Sequence, residues 1–426
     1  MNLSMVRNIE IMAPVGSYES LQAAIKAGAN SVYFGIEQLN MRARAANNFT
    51  TEDLKKIVAI CKENNIRTYL ALNTIMYDHD LQLLKKICDT AKSSGITAVI
   101  CSDIAALMYA KSINLEVHIS TQTNISNIEA VKFYSQYADV VVLARELTLK
   151  QITDLCDEIK KQKISGPSGR LVEVELFAHG ALCVAISGKC YMSLATYNSS
   201  ANRGACLQNC RREYKAYQIV DEETGDELRI ENKYIMSPKD LCTIGFIDKI
   251  LDSGVSILKL EGRGRSPDYV YTVVKVYREA IDSYLDGTYT KNKDQLVEEW
   301  IKQLGSVFNR GFWHGGYYLG KQLGEWSGVY GSKATKNKQF LGLATNYYQK
   351  PKVAEFILET GELCVDDEIL ITGPTTGVVM TKVKEIMVGD GKGRLAQIAK
   401  KGDCLTISVN EKIRVNDKLF KLVKSD

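Results

Sequence analysis

Five cysteines stand within the sixty residues from Cys183 to Cys242: Cys183, Cys190, Cys206, Cys210 and Cys242. The other six of the chain's eleven (Cys61, Cys88, Cys101, Cys156, Cys364 and Cys404) are scattered through apolar runs and show no spacing pattern. Thiolates are soft ligands, and several gathered in one glycine-rich stretch suit an iron–sulfur cluster or zinc. Gly180, Gly188 and Gly204 allow tight turns beside the sulfurs. Arg203, Arg211 and Arg212 would offset the charge of several thiolates. One such cysteine would read as a small buried hydrophobe. Five, interleaved with glycine and arginine, read as a metal site. Zinc is the alternative metal, but the paired short spacings of fingers and ribbons are absent. The irregular spread suits an iron–sulfur cluster better.

The same stretch holds the one arrangement that a peptidase could use. The chain has four histidines, His79, His118, His179 and His314, so a Ser/His or Cys/His pair must draw on one of them. His179 precedes Cys183 closely and could form a dyad with it, Glu175 serving as orienter. On a strand, Glu175, Phe177 and His179 would share a face. Neither an HExxH zinc motif nor a GxSxG elbow occurs.

Positioning these groups requires a scaffold, and the first 280 residues supply a regular one. Strand-like runs occur at Ile9–Met12, Ser31–Phe34, Thr68–Leu72, Ala98–Cys101, Glu116–Ile119, Val140–Leu143, Glu173–Phe177 and Ser256–Leu260, with helical periods between most of them. Eight β-then-α steps predict an α/β fold of the (β/α)₈ TIM-barrel type, with a doubly wound open sheet as the alternative. No GxGxxG follows the first strand, which favours the barrel. Barrel chemistry sits at the C-terminal ends of the strands. Those ends carry Asn40, Arg42, Arg44, Asn73, Ser120, Thr121, Gln122, Arg145, Glu146, His179, Cys183, Glu261, Arg263 and Arg265.

The expected organisation is a catalytic barrel over 1–285 with a cysteine-rich insertion at 183–242, then a helical and Gly/aromatic linker over 286–338. Within the insertion, Tyr214–Val220 and Leu228–Met236 read as a β-hairpin, and Lys333–Lys338 as a basic linker. From 339 to 426 the pattern turns to short strands and turns, predicting a small all-β barrel.

The net charge of +4 is small for 426 residues; it permits an RNA or acidic ligand without arguing for one. No signal peptide and no apolar run of membrane-spanning length appears, so a cytoplasmic protein with reduced thiols and no membrane partner is expected.

The run from Glu175 to Ser193 resembles the signature of peptidase family U-thirty-two, the collagenase-like peptidases. Ala13-Pro14, Gly16-Ser17, Ala27-Gly28-Ala29, Asn40 to Arg44, Ser237 to Cys242 and Glu261-Gly262-Arg263 are similar to further landmarks of that family, so the resemblance covers essentially the whole chain. It implies one of two activities: a peptidase, or a hydroxylation factor that is oxygen-independent or uses prephenate. Length and the C-terminal region look most like the branch that hydroxylates the wobble uridine of tRNA. On that resemblance, a 4Fe–4S cluster would be held by Cys183, Cys190, Cys206 and Cys242, with a swap of Cys210 for Cys242 left open. Arg42, Arg145, Arg203 and Arg263 would clamp a dicarboxylate such as prephenate, because guanidinium forks match carboxylates. Tyr33, Tyr191 or Tyr197 would stack on a flipped base. Lys333 to Lys338, with Lys350 and Lys352, would touch RNA phosphates. A protein partner would load the cluster or pass electrons. A third class, a non-enzymatic RNA-binding or assembly factor with a structural metal site, also stays open.

Overall fold

The computed structural model describes residues 9–44, 48–215, 220–225, 232–320, 325–389 and 393–425. Seven short strands follow in order: β1 (Glu10–Pro14), β2 (Ser31–Phe34), β3 (Arg67–Leu72), β4 (Ala98–Cys101), β5 (Glu116–Ile119), β6 (Val140–Val142) and β7 (Glu173–Gly180). Each pairs in parallel with the next. After β8 (Asp240–Cys242) comes β9 (Ile257–Leu260), which pairs in parallel with both β7 and β1 and closes an eight-stranded barrel. The barrel expected from the β-then-α rhythm is therefore what forms, and the open-sheet alternative is not.

The helices are α1 (Tyr18–Lys26), α2 (Asp53–Glu63), α3 (Leu81–Ser94), α4 (Ile104–Ser112), α5 (Ile128–Ser135) and α6 (Leu149–Lys161) between the first seven strands, then α7 (Met192–Tyr197), α8 (Ile247–Asp252), α9 (Pro267–Leu285) and α10 (Thr288–Gly305). Local chemistry sets their ends. Ser17, Asp103 and Asn127 accept backbone N–H groups at N-termini, Thr148 and Gln151 form a reciprocal capping box, and Gly95 takes the left-handed stop after α3. Apolar faces of these helices and the outer face of the strands form the main core.

The barrel interior is a separate, smaller core of Met12, Tyr33, Tyr69, Ala98, Ile100, Val140 and Ile257. Charged side chains are buried beside it: Glu10, His118, Glu175 and Lys259.

The cysteine-rich insertion leaves the end of β7 and returns through β8, which runs antiparallel to β7, with β10 (Phe312–His314) parallel on its far side. Gly180, at φ +106°, makes the exit: a Cβ there would lie 2.5 Å from the Glu261 carbonyl oxygen. Arg211 ties the insertion down by donating to the carbonyls of Leu182 and Pro238 and to Ser237 Oγ. Residues 216–219 and 226–231 of the hairpin expected over 214–236 lie outside the described residues.

From β11 (Lys336–Tyr348) onward the chain is antiparallel and β-rich, wrapping its own hydrophobic core. It meets the barrel's outer face where Leu370 and Val378 pack on Ala23 of α1, with Tyr271 of α9 alongside. The basic linker is not loose: Lys336 pairs with Glu368 inside the β-rich region, and Lys338 pairs with Asp268 of α9, which joins the two regions. Among the described residues no helix is long and apolar enough to cross a membrane.

Tyr277 of α9 fastens the insertion's return to the barrel. Its hydroxyl donates to the Ala178 carbonyl at 2.8 Å and accepts from the Thr243 backbone N–H at 3.2 Å, in a fully buried setting. Tyr277→Phe removes both of these bonds and leaves the Thr243 N–H and the Ala178 carbonyl only their mutual 3.2 Å bond; we expect urea unfolding to show a loss of about 0.5–1.5 kcal/mol.

Candidate active site at the barrel mouth

The C-terminal ends of the strands surround a cavity of about 180 Å³. Its walls carry Arg42, Asn73, Ser120, Thr121, Gln122, Arg145, Glu261 and Arg263, so most of the polar residues expected at strand ends do converge. Asn40, Arg44, Glu146 and Arg265 do not line it. Arg265 instead stacks on Phe308, 3.5 Å from the ring centre.

The insertion folds over this mouth and adds Cys183, Cys190, Cys206 and Cys210 to the same wall. Cys183 is solvent-exposed at the cavity mouth; the protein crowded around it works against the thiolate, but Arg145 and Arg42 outweigh this and hold the thiol below its ordinary range. Cys210 is pushed the other way, first by burial and then by the charges of the other three thiols. Cys242 differs. It is 0 % exposed in the main core on β8, does not line the cavity, and burial lifts its thiol to about 12. The ligand expectation for Cys242 thus meets a side chain sealed on the far side of β7, while Cys210 occupies the wall. Among the described residues no three His, Cys, Asp or Glu side chains stand together at metal-ligand distances; the four thiols share a cavity.

The dyad expectation fails on geometry. A β-bulge lies between Phe177 and His179, where β7 shifts register against β9. A bulge reverses the alternation of faces. Phe177 lines the cavity, whereas His179 is turned outward among the rings of Tyr269, Tyr277 and Phe312. Burial, with help from His314, drops its imidazole to about 3. His179 does not face Cys183, and Glu175 does not orient it. Glu175 points into the barrel, where its Oε1 accepts from Lys259 at 2.7 Å and its Oε2 lies 3.6 Å from His118 Nδ1. Burial opposes ionisation of Glu175, yet Lys259 and His118 keep it below the usual carboxylate range.

The arginines divide. Arg42 pairs with Glu261 at 3.4 Å, and Arg145 donates to Ser187 at 3.0 Å over the Phe177 ring. Arg263 is fully enclosed and donates to Asn40 at 3.1 Å. Arg203, expected to grip a cofactor, is outside the cavity: it pairs with Asp80 and covers the Tyr77 ring. Tyr33 sits in the cavity with its hydroxyl donating to Glu261 at 2.8 Å, and Tyr191 is exposed near the rim. Tyr197 is covered on one face by Arg212.

Lys259 is the site residue that the sequence reading missed. Its signal was present, a lysine inside the apolar run Ile257-Leu258-Lys259-Leu260. With it, four cations (Arg42, Arg145, Lys259, Arg263) and one carboxylate (Glu261) line the cavity. A second missed signal is that no Asp or Glu occurs between Glu175 and Glu213, while Lys189, Arg203, Arg211 and Arg212 do.

Residues 16–328 match the profile of Peptidase family U32. The chain is 55 % identical over 421 residues to a protein from Porphyromonas gingivalis named collagenase, spanning 99 % of both. It is 30 % identical over 393 residues to a tRNA hydroxylation protein of Bacillus subtilis, across 90 % of this chain and 87 % of that one. It is 31 % identical over 279 residues to a 23S rRNA 5-hydroxycytidine synthase of Escherichia coli, across 65 % and 40 % of the two chains. With the profile running from the loop after β1 to beyond β10, and a relative of this identity along nearly its whole length, the chain belongs to peptidase family U32.

Proposed function

We propose that the protein is an RNA-modifying hydroxylase that acts on a tRNA uridine at the wobble position, carries a 4Fe–4S cluster and takes prephenate as co-substrate. One observation carries the reading: four thiols and four cations face a single cavity at the barrel mouth, and the histidine that a peptidase would need faces away from it. The likeness to proteins named for tRNA and rRNA hydroxylation supports it. The donors suit a cubane cluster in kind and number, and the cationic wall suits the net negative charge of a four-thiolate cluster. Cys183, Cys190, Cys206 and Cys210 would hold it. A bound cluster would supply one-electron chemistry at the cavity wall. Arg42, Arg145 and Arg263 would orient the carboxylates of the co-substrate, and Tyr33 offers the enclosed aromatic face for a flipped base. The acid-free first part of the insertion, with Lys189, Arg203, Arg211 and Arg212, would meet the RNA backbone.

The name of the 55 % identical relative favours a second reading, a peptidase. There Cys183 would act as a nucleophile whose thiolate is held by Arg145 and Arg42 rather than by histidine.

Two outcomes separate these readings. Anaerobically purified protein should be brown, with about four irons and four sulfides per chain. Cys183→Ala and Cys210→Ala should lose the visible band, and Cys242→Ala should keep it; colourless, iron-free, folded wild type overturns the cluster. In cells lacking the native protein, nucleoside analysis of tRNA should show hydroxylated uridine restored by wild type. Arg145→Ala should restore it roughly ten- to a hundredfold less efficiently, the worth of about 1.5–3 kcal/mol in a charged hydrogen bond. Unchanged tRNA together with peptide cleavage that Cys183→Ala abolishes would select the peptidase.

A further inference from the structure

The barrel interior holds a buried cluster whose carboxylate and imidazole neither reading uses, and in which Lys259 has so far counted only as a charge on the wall. Lys259 Nζ lies 2.7 Å from Glu175 Oε1, and Glu175 Oε2 lies 3.6 Å from His118 Nδ1. His118 Nε2 lies 3.8 Å from Glu116 Oε1 toward the opposite end of the barrel. Relative exposure is 5 % for Lys259, 0 % for Glu175 and 1 % for His118. Lys259 nevertheless belongs to the cavity wall, on the last barrel strand, next to Glu261 and Arg263.

Buried charges are costly, and a buried ion pair adds little to stability over well-packed apolar groups. Two atoms of this cluster also lack any hydrogen-bond partner: Glu175 Oε2 and His118 Nδ1, the two that face each other. They stand 3.6 Å apart. A proton moved onto Glu175 or His118 would sit between them and satisfy both. The nearest source is the Lys259 ammonium, already bonded to the same carboxylate. Groups facing Lys259 are Glu175, the rings of Tyr33 and Phe177, and Glu261; groups facing His118 are Glu116, Glu175 and the Tyr69 ring.

We propose that Lys259 is a Schiff-base lysine, and that the cavity condenses it with the carbonyl of an oxo carboxylic acid. The carboxylate class follows from Arg42, Arg145 and Arg263 on the same wall; the carbonyl follows from an amine with a built-in proton acceptor. The ammonium passes one proton to Glu175, shared with His118. The neutral amine attacks the carbonyl carbon, the C–N bond forms, and the carbonyl oxygen leaves as water. That water takes the proton held by Glu175 and a second proton from nitrogen, so the product is a protonated imine and nothing is oxidised or reduced. Glu175 is the positioning base, and His118 supports it. The inference needs neither the cluster nor RNA, only the cavity.

The test is trapping. Full-length protein is incubated with pyruvate or glyoxylate, reduced with borohydride, and read by intact mass and peptide mapping. The expected result is one reduced adduct per chain, mapped to Lys259. It should be absent in Lys259→Arg, which keeps the charge against Glu175, and slowed at least tenfold in Glu175→Gln. No adduct with either acid, or label spread over surface lysines and unchanged in Lys259→Arg, overturns the proposal. Either result leaves the iron content and tRNA outcomes to be decided on their own.

Discussion

Strand β9 closes the barrel, and its register governs everything at the mouth. It is hydrogen-bonded on both sides, to β1 through Met12↔Lys259 and to β7 through Phe177↔Lys259. A slip of one residue would turn Lys259 outward and a leucine inward, because side chains on a strand alternate strictly. The pairing Lys259–Glu175 fits only the observed register. The residues that follow, Glu261 and Arg263, then reach the cavity from the same strand end. Ion pairing, barrel closure and the placement of the polar wall are thus one constraint.

A departure from barrel regularity lies on the partner strand. The bulge between Phe177 and His179 sends the chain out of the barrel's alternation just where the insertion begins. His179 is delivered to the outer core against α9, and the chain then turns at Gly180 back over the mouth. The thiols enter the cavity on loops, held not by a sheet but by Arg211 and its three acceptors. The first part of the insertion, up to Arg212, has no acidic residue, and polar contacts with the barrel rim, such as Asn124 Nδ2 to the Ser187 carbonyl at 3.1 Å, help to place it. A region held in this way can adjust around a ligand more readily than a strand can.

Electrostatically the mouth is unbalanced. The wall is cationic, and the carboxylate on it, Glu261, is held below the usual range because Arg42 and Arg263 outweigh the cost of its burial. Such a cavity attracts anions, and Cys183, beside Arg145 and Arg42, is kept nearer to its charged form. The C-terminal β-rich region contributes nothing to this wall; its contacts are with the outside of α1 and α9.

The barrel was legible in the residues themselves. Short β-rich runs alternating with amphipathic, properly capped helices leave few other ways to bury both faces of a parallel sheet. All eight barrel strands fall within a few residues of their apolar runs, and the polar groups at strand ends follow from that topology. What the chain could not disclose by pattern was direction. Cys210 and Cys242 look alike in sequence, yet one lines the cavity and the other is sealed in the core. His179 looks like a partner for Cys183 until one bulge turns it away, and Arg203 looks like a ligand clamp until Asp80 claims it. Lys259, hidden in an apolar run, becomes a site residue only because closure brings Glu175 beside it. Periodicity and composition are local properties and settle which elements form. Which way a thiol, an imidazole or an amine points is set by register, bulges and charge partners far apart in the chain, and those exist only once the barrel has closed.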